Sequence, residues 1–176
     1  ALGEHQKRLE FNQKALAIWE KMLPPEHPNL AASYNNLAAT YRDLDDPSKS
    51  LEYHQKALVI REKVLPPEHP DLALSYNNLA ETYGALNEYR KSLEYNQKAL
   101  AIWEKTLPPE HPDLALSYNN FAATHYVLGE LDKACDYMRR AVAIFEKSLP
   151  ANHPHTLQAK KSLAILEEKR QAKRGK

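Results

Sequence analysis

A six-residue segment, Leu-Pro-Pro-Glu-His-Pro, returns at a fixed interval, and that interval restricts the fold more than any other property of the chain. It occupies residues 23–28, 65–70 and 107–112, and a worn copy, Leu-Pro-Ala-Asn-His-Pro, occupies 149–154. Each copy begins 42 residues after the one before. A period between about 20 and 50 residues marks a solenoid, in which each unit buries its apolar face only against its neighbours. Such chains hold ligands on extended surfaces and seldom perform chemistry, so no enzyme activity is expected. The net charge of +1 gives no global attraction to nucleic acid or anionic membranes. No apolar run approaches the ~20 residues of a membrane span. The polar stretch from Glu4 to Glu10 does not read as a signal peptide. A single cysteine, Cys135, excludes an internal disulfide and suits a reducing compartment, so a cytoplasmic location is expected.

Between the proline-rich segments each unit reads as two helices. In the unit from Pro70 to Pro108, Pro70 suits the first helical position, where its missing N–H is not needed. Tyr76, Leu79, Ala80 and Tyr83 follow at i, i+3, i+4 and i+7, the spacing of one buried stripe. Asn87 tolerates the left-handed conformation that ends a helix, and Asp45, Gly129 and Gly3 hold the same slot elsewhere. The second helix carries Leu93, Ala99, Leu100, Trp103 and Leu107 and stops at Pro108-Pro109. Extended over the chain, this pattern predicts helices near 4–23, 29–44, 47–64, 71–86, 88–107, 113–128, 131–149 and 155–172. The chain thus opens on a second-type helix, 4–23, which has no sequence-adjacent partner of the first type. Residues 51–83 and 93–125 differ at only seven pairs, which points to recent duplication or deliberate construction and weakens any claim that one residue was individually tuned.

The unit Tyr76-Asn77-Asn78-Leu79-Ala80-x-x-Tyr83-x-x-x-Asn87-x-Tyr89-x-x-Ser92-x-x-x-Asn96-x-x-Ala99-Leu100 resembles the tetratricopeptide repeat. The long form, with Asn-Asn-Leu-Ala and a His-Pro loop, is similar to the repeats of kinesin light chain and nephrocystin-type proteins. The resemblance spans essentially the whole chain. It implies an all-α fold, a right-handed α-solenoid of about eight antiparallel helices forming one domain over 1–176. That domain would comprise the second helix of a first repeat (4–23), repeats at 28–65, 70–107 and 112–149, and a C-terminal capping helix (155–172). The pattern has departures. Asn12, His54 and Asn96 stand where the family has an aromatic, and only Met138 is apolar there. The last helix has Lys161-Ser162 in place of Asn-Asn and Glu167 in place of Tyr.

Helical geometry separates a working face from the buried stripe. At about 100° per residue, Leu74, Asn78, Glu81 and Ala85 point away from that stripe. The matching sets are Ala32, Asn36, Ala39 and Asp43, and Leu116, Asn120, Ala123 and Val127. In tetratricopeptide arrays this side of the first helices becomes the concave wall of a groove. Leu74, Leu116 and Val127 would then be exposed apolar residues, a mark of an interaction site. Asparagine inside a helix costs roughly 0.6 kcal/mol against alanine. The pairs Asn35-Asn36, Asn77-Asn78 and Asn119-Asn120 therefore need a reason. One reason is a row of amides that hydrogen-bond the main chain of an extended peptide; the other is a structural ladder bonding one helix to the next. For the inward set (Asn36, Asn78, Asn120) ligand contact is favoured, while for the flank set (Asn35, Asn77, Asn119) both readings stand.

The inner faces offer Arg42 but no Lys/Arg pair at i, i+4, so the carboxylate clamp of chaperone-adaptor relatives is not expected. Asp43 and Glu81 beside Arg42 also differ from the basic groove with which kinesin light chains read acidic cargo. His27, His69, His111 and His153 lie one repeat apart and cannot converge on one zinc ion, which needs ligands at ~2.1 Å. Each reads as a loop residue before a helix-opening proline. Cys135 reads as a small core filler, and Tyr126 as half-buried. The run Lys169-Arg170-Lys173-Arg174-Lys176 reads as a solvated tail, and no nucleic-acid binding is expected of it. The expected function is a scaffold that holds a polypeptide segment in its groove, using Asn36, Asn78, Asn120, Asn35, Asn77, Asn119, Leu74, Leu116, Glu81, Arg42 and Val127. It needs no metal, cofactor, small-molecule substrate or membrane. Alternatives are self-association, as a dimer or end to end through helix 4–23, a regulatory or localising fragment of a larger enzyme or sensor, and a designed or consensus-like repeat with no natural ligand.

Overall fold

The computed structural model describes residues 2–174; Lys176 of the basic run lies outside them. Among the described residues there are eight α-helices and no strand. They are α1 (Leu2–Met22), α2 (Pro28–Asp43), α3 (Pro47–Val64), α4 (Pro70–Ala85), α5 (Tyr89–Thr106), α6 (Pro112–Val127), α7 (Leu131–Ser148) and α8 (Pro154–Arg174). Every helix expected from the pattern is present, with ends displaced by at most two residues. The helices fall into two compact units, α1–α4 within residues 1–88 and α5–α8 within 89–176. Helix starts at 28, 47 and 70 return at 112, 131 and 154, so residues 84 apart hold equivalent places in the two units.

The repeated hexapeptide is a turn that hands the chain to a helix cap. His27 N donates to Pro24 O at 3.0 Å, closing a turn whose second residue is Pro25. Proline presets φ there. The leucine before the prolines is extended, with φ −107° and ψ 148° at Leu65, as the proline ring requires. His27, at φ −72° and ψ 134°, is the N-cap of α2, and Pro28 follows it in the first turn. Its Nδ1 accepts from Asn29 N at 3.1 Å. The same bond recurs at His69 to Asp71 (3.1 Å), His111 to Asp113 (3.2 Å) and His153 to His155 (3.3 Å). Histidine here does the work usually given to Ser, Asp or Asn: it satisfies a backbone N–H that the helix leaves orphaned.

The first-type helices end alike. Asp45, Asn87 and Gly129 take positive φ values of 59°, 61° and 77°. Asp46 N donates to Tyr41 O (2.9 Å) and Asp45 N to Arg42 O (3.0 Å), the paired bonds of a Schellman cap. Glu88 to Tyr83 and Glu130 to His125, both 2.9 Å, repeat it. Gly3 departs from this expectation. It lies inside α1, which begins at Leu2.

In the first unit, Leu16, Leu30, Ala31, Leu37, Tyr41, Ala57 and Ile60 form the core, with Leu9, Trp19, Leu23, Tyr34 and Tyr53 packed around it. Ala38, Ala57 and Ala73 are fully buried, as are Ala115, Ala122, Ala134 and Ala141 in the second unit. Residues that small let neighbouring helices approach closely. Cys135 is fully buried and acts as the core filler expected of it. Polar pairs tie the layers at repeat spacing: Tyr34 donates to Glu20 (2.9 Å), Tyr76 to Glu62 (2.9 Å) and Tyr118 to Glu104 (2.8 Å). In α8 the tyrosine is replaced by Lys160, which pairs with Glu146 at 2.7 Å.

Two substitutions check this account. His69→Ala should lower unfolding free energy by about 1 kcal/mol in urea titration, and His69→Asn, which can cap, should lower it by much less. Nothing lies within 4 Å of a Cβ built on Gly129. Gly129→Ala should therefore cost only the left-handed backbone penalty, about 1 kcal/mol, with no loss attributable to packing.

Candidate functional site

The inner faces of the first-type helices differ between the units. In the first unit the seam between α2 and α4 is closed by polar contacts. Asn78 Nδ2 donates to Asn35 Oδ1 at 3.4 Å. His54 Nδ1 lies 2.8 Å from the same oxygen. Arg42 pairs with Glu81 across the seam at 3.5 Å and with Asp43 at 3.7 Å. Asn77 Nδ2 donates to Glu81 Oε1 at 3.0 Å. A ladder of side-chain amides between helices is thus present at Asn35 and Asn78. Asn36 stays exposed, and Leu74 is 44% exposed. The threonine one turn after each inward asparagine donates to that asparagine's carbonyl: Thr40 to Asn36 and Thr82 to Asn78 at 2.8 Å, Thr124 to Asn120 at 3.0 Å.

His54 is the buried centre of this seam. Burial, reinforced by the positive charges of Arg42 and Arg61, pushes its imidazole down to about 4. The ring is therefore neutral near pH 7. With Nδ1 donating to Asn35, Nε2 carries the lone pair, and that buried atom has no partner. Because the folded value lies below the ordinary 6.5, the neutral ring's contribution to stability is complete above about pH 6.5. It is lost as pH falls toward 4, by on the order of 3 kcal/mol. Met138 is the equivalent residue in the second unit. His54→Met should flatten the dependence of the urea midpoint on pH between 6.5 and 4 without reversing its sign, since carboxylates also titrate there.

In the second unit the corresponding seam, between α6 and α8, is open and apolar. Ser162 stands at the place of Asn78, Met138 at that of His54, Ile165 at that of Glu81 and Tyr126 at that of Arg42. A cleft of about 290 Å³ lies there, lined by Asn119, Ala122, Tyr126, Met138, Gln158 and Ile165 among others. Met138 forms part of the lining at 4% exposure, while Ile165 is 44% exposed. Tyr126, read as half-buried, is 37% exposed. Lys169 Nζ sits 4.6 Å from the centre of its ring and donates to its hydroxyl. Leu116 and Val127 on α6 are exposed at 37% and 51%, and Asn119 and Asn120 are half-buried.

Of the residues singled out by pattern, the structure gathers Asn35, Asn77, Asn78, Arg42 and Glu81 into one polar seam, with Asn36 and Leu74 on exposed positions of its helices. Asn119 lines the apolar cleft, and Leu116, Asn120 and Val127 lie on the same α6. Periodicity alone did not select Met138, Gln158, Ser162 and Ile165. Part of their signal was present: Met138 is the one apolar residue at its repeat position, and Ser162 lies in the Lys161-Ser162 pair that replaces Asn-Asn. Among the described residues no three His, Cys, Asp or Glu side chains come together as a metal site. No described helix is long and apolar enough to cross a membrane.

The chain shows a protein-interaction fold: stacked helix pairs of fixed length, with tyrosine and alanine at the packing positions and asparagines on the opposite face. The tetratricopeptide repeat pattern matches residues 1–63, 30–105 and 71–128, and a second form of it matches 114–155. The chain belongs to the tetratricopeptide repeat family. It is similar to the TPR-like repeats of a kinesin light chain from P. anserina, at 29% identity and a TM-score of 0.84, over 98% of this chain and 82% of that one. BtubC (BKLC) from P. vanneervenii shares the fold at 23% identity and a TM-score of 0.84, over 94% of this chain and 66% of that chain. Aspartyl phosphate phosphatase F from Bacillus subtilis does so at 20% and 0.76, over 99% of this chain and 44% of that chain. A comparison with curated proteins finds no match. The fold is an all-α solenoid of a non-enzymatic scaffold family.

Proposed function

We propose that this chain is a single-domain interaction module that holds an extended polypeptide segment on the inner face of its first-type helices, in the second unit along the α6–α8 cleft, as a cargo or adaptor repeat does. The observation that carries this reading is the α6–α8 cleft. It is walled by apolar side chains and edged by the amides of Asn119 and Gln158, and Leu116 and Val127 stand exposed elsewhere on the same helix, α6. A main chain lying there meets amide donors and acceptors, and an apolar side chain meets a water-excluding wall. In the first unit the exposed Asn36 and the pair Arg42–Glu81 offer polar and charged contacts instead. Similarity to a kinesin light chain supports the adaptor reading.

Selection from a displayed library of random 12-residue peptides supplies the probe. Against a selected peptide, the triple variant Asn36→Ala, Asn78→Ala, Asn120→Ala should bind at least ten-fold more weakly. Its unfolding free energy should fall by no more than about 1 kcal/mol, the worth of a bond such as Asn78 to Asn35. A large loss of stability with affinity retained would assign these amides to holding the helices together. Ile165→Asp should likewise weaken binding.

A further inference from the structure

One helix face lies bare. On α1, Phe11, Ile18 and Met22 are 70%, 55% and 70% exposed, and Ala15 between them is exposed as well. They fall at i, i+4, i+7 and i+11, a single apolar stripe. Elsewhere on the same helix, Leu9, Leu16 and Trp19 pack into the core with α2. Apolar surface at helical spacing, on a helix already seated by another face, is what a docking site presents.

The chain itself shows what covers such a stripe. At the same positions 42 residues on, α3 carries Tyr53, Ala57, Ile60 and Val64. There Ala57 is 0% and Ile60 6% exposed. Tyr53 stacks on Tyr41 of α2 at 5.5 Å between ring centres and lies 6.1 Å from Tyr34. Two lysines flank the stripe: Lys49 lies 5.1 Å from the ring of Tyr41, and Lys56 lies 5.9 Å from that of Tyr34. Their counterparts on α1 are Lys7 and Lys14. The arrangement recurs in the second unit. Tyr137 of α7 stacks on Phe121 (4.8 Å) and Tyr118 (6.1 Å), Ala141 is fully buried, and Arg140 lies 5.7 Å from Tyr118. In both units the covering helix places aromatic rings at i and i+7, a large apolar residue at i+3 and alanine at i+4. These are Tyr34, Leu37, Ala38 and Tyr41 on α2, and Tyr118, Phe121, Ala122 and His125 on α6. The aromatic faces meet the flanking cations, and the alanine admits close approach.

We propose that Phe11, Ala15, Ile18 and Met22, flanked by Lys7 and Lys14, form a docking face for a partner helix of the pattern Tyr-x-x-Leu-Ala-x-x-Tyr. A second copy of this chain is the poorer occupant. Its α2 is already packed between α1 and α3. Its α8 carries Lys160 and Glu167 at the two aromatic positions, so Lys14 would meet a like charge where α3 meets a tyrosine ring.

The test uses the whole chain and a fluorescent synthetic helix of residues 28–45. In the peptide, Ala32→Lys and Asn36→Asp are joined by a lactam bridge that holds it helical; both positions are exposed in α2. Anisotropy should show saturable binding. Binding should weaken at least ten-fold with the chain variant Phe11→Ser, Ile18→Ser. It should weaken as much with the peptide variant Tyr34→Ala, Tyr41→Ala, which leaves the chain untouched and so holds whatever the chain variant does to folding. Absence of saturable binding by the unaltered pair, or equal binding by both variants, overturns the proposal. A concentration-dependent dimer in light scattering that Phe11→Ser, Ile18→Ser dissolves also overturns it, by assigning the face to a second copy.

Discussion

The structure depends on one local device, the proline turn whose histidine caps the next helix. Each helix pair gains its packing only if the second-type helix stops on time and the following first-type helix starts in register. Two prolines stop the outgoing helix because the first forces its predecessor into an extended conformation. The histidine then supplies the acceptor that the incoming helix lacks at its N-terminus. Both events occur within six residues, so the length of the loop, and with it the 42-residue register, is fixed before any distant contact forms. The buried alanines and the tyrosine-to-glutamate bonds at repeat spacing then find their partners without further adjustment.

The helices were legible in the sequence because their signals are local. Apolar periodicity, prolines and left-handed residues such as Asn87 each act over a few positions. Gly3 misled for the same reason: glycine permits a left-handed end but does not impose one, and here it sits within α1. Histidine as a cap was not legible, since its ring nitrogen is an uncommon acceptor for this purpose and the motif read equally well as an ordinary loop.

The inner face was legible only as a face. Helical geometry placed Asn36, Asn78 and Asn120 on one side, but whether an amide points to solvent or to a neighbour depends on residues a repeat or more away. Asn78 reaches Asn35 because a buried histidine stands behind them at position 54. In the second unit methionine and serine occupy the corresponding places, and the seam opens into a cleft instead. The small departures from the repeat, which pattern matching discounts, therefore distinguish a charged, closed inner seam from an open apolar one. Near-copies of a unit conserve the packing, and the few changed side chains alter what the surface offers.

The tyrosine-to-glutamate bonds join residues 14 apart, and the glutamine-to-tyrosine bonds join residues 28 apart. The lysine–glutamate pairs between successive turns span 37, and the bonds from Asn78 to Asn35 and from Lys169 to Tyr126 span 43. So short a reach gives low contact order, which favours rapid assembly outward from any pair of helices. It also means that a gain or loss of 42 residues cut anywhere within the turn restores the same joint on both sides. Arrays of this kind can change length in whole steps, lengthening their reach toward a ligand without re-solving the fold.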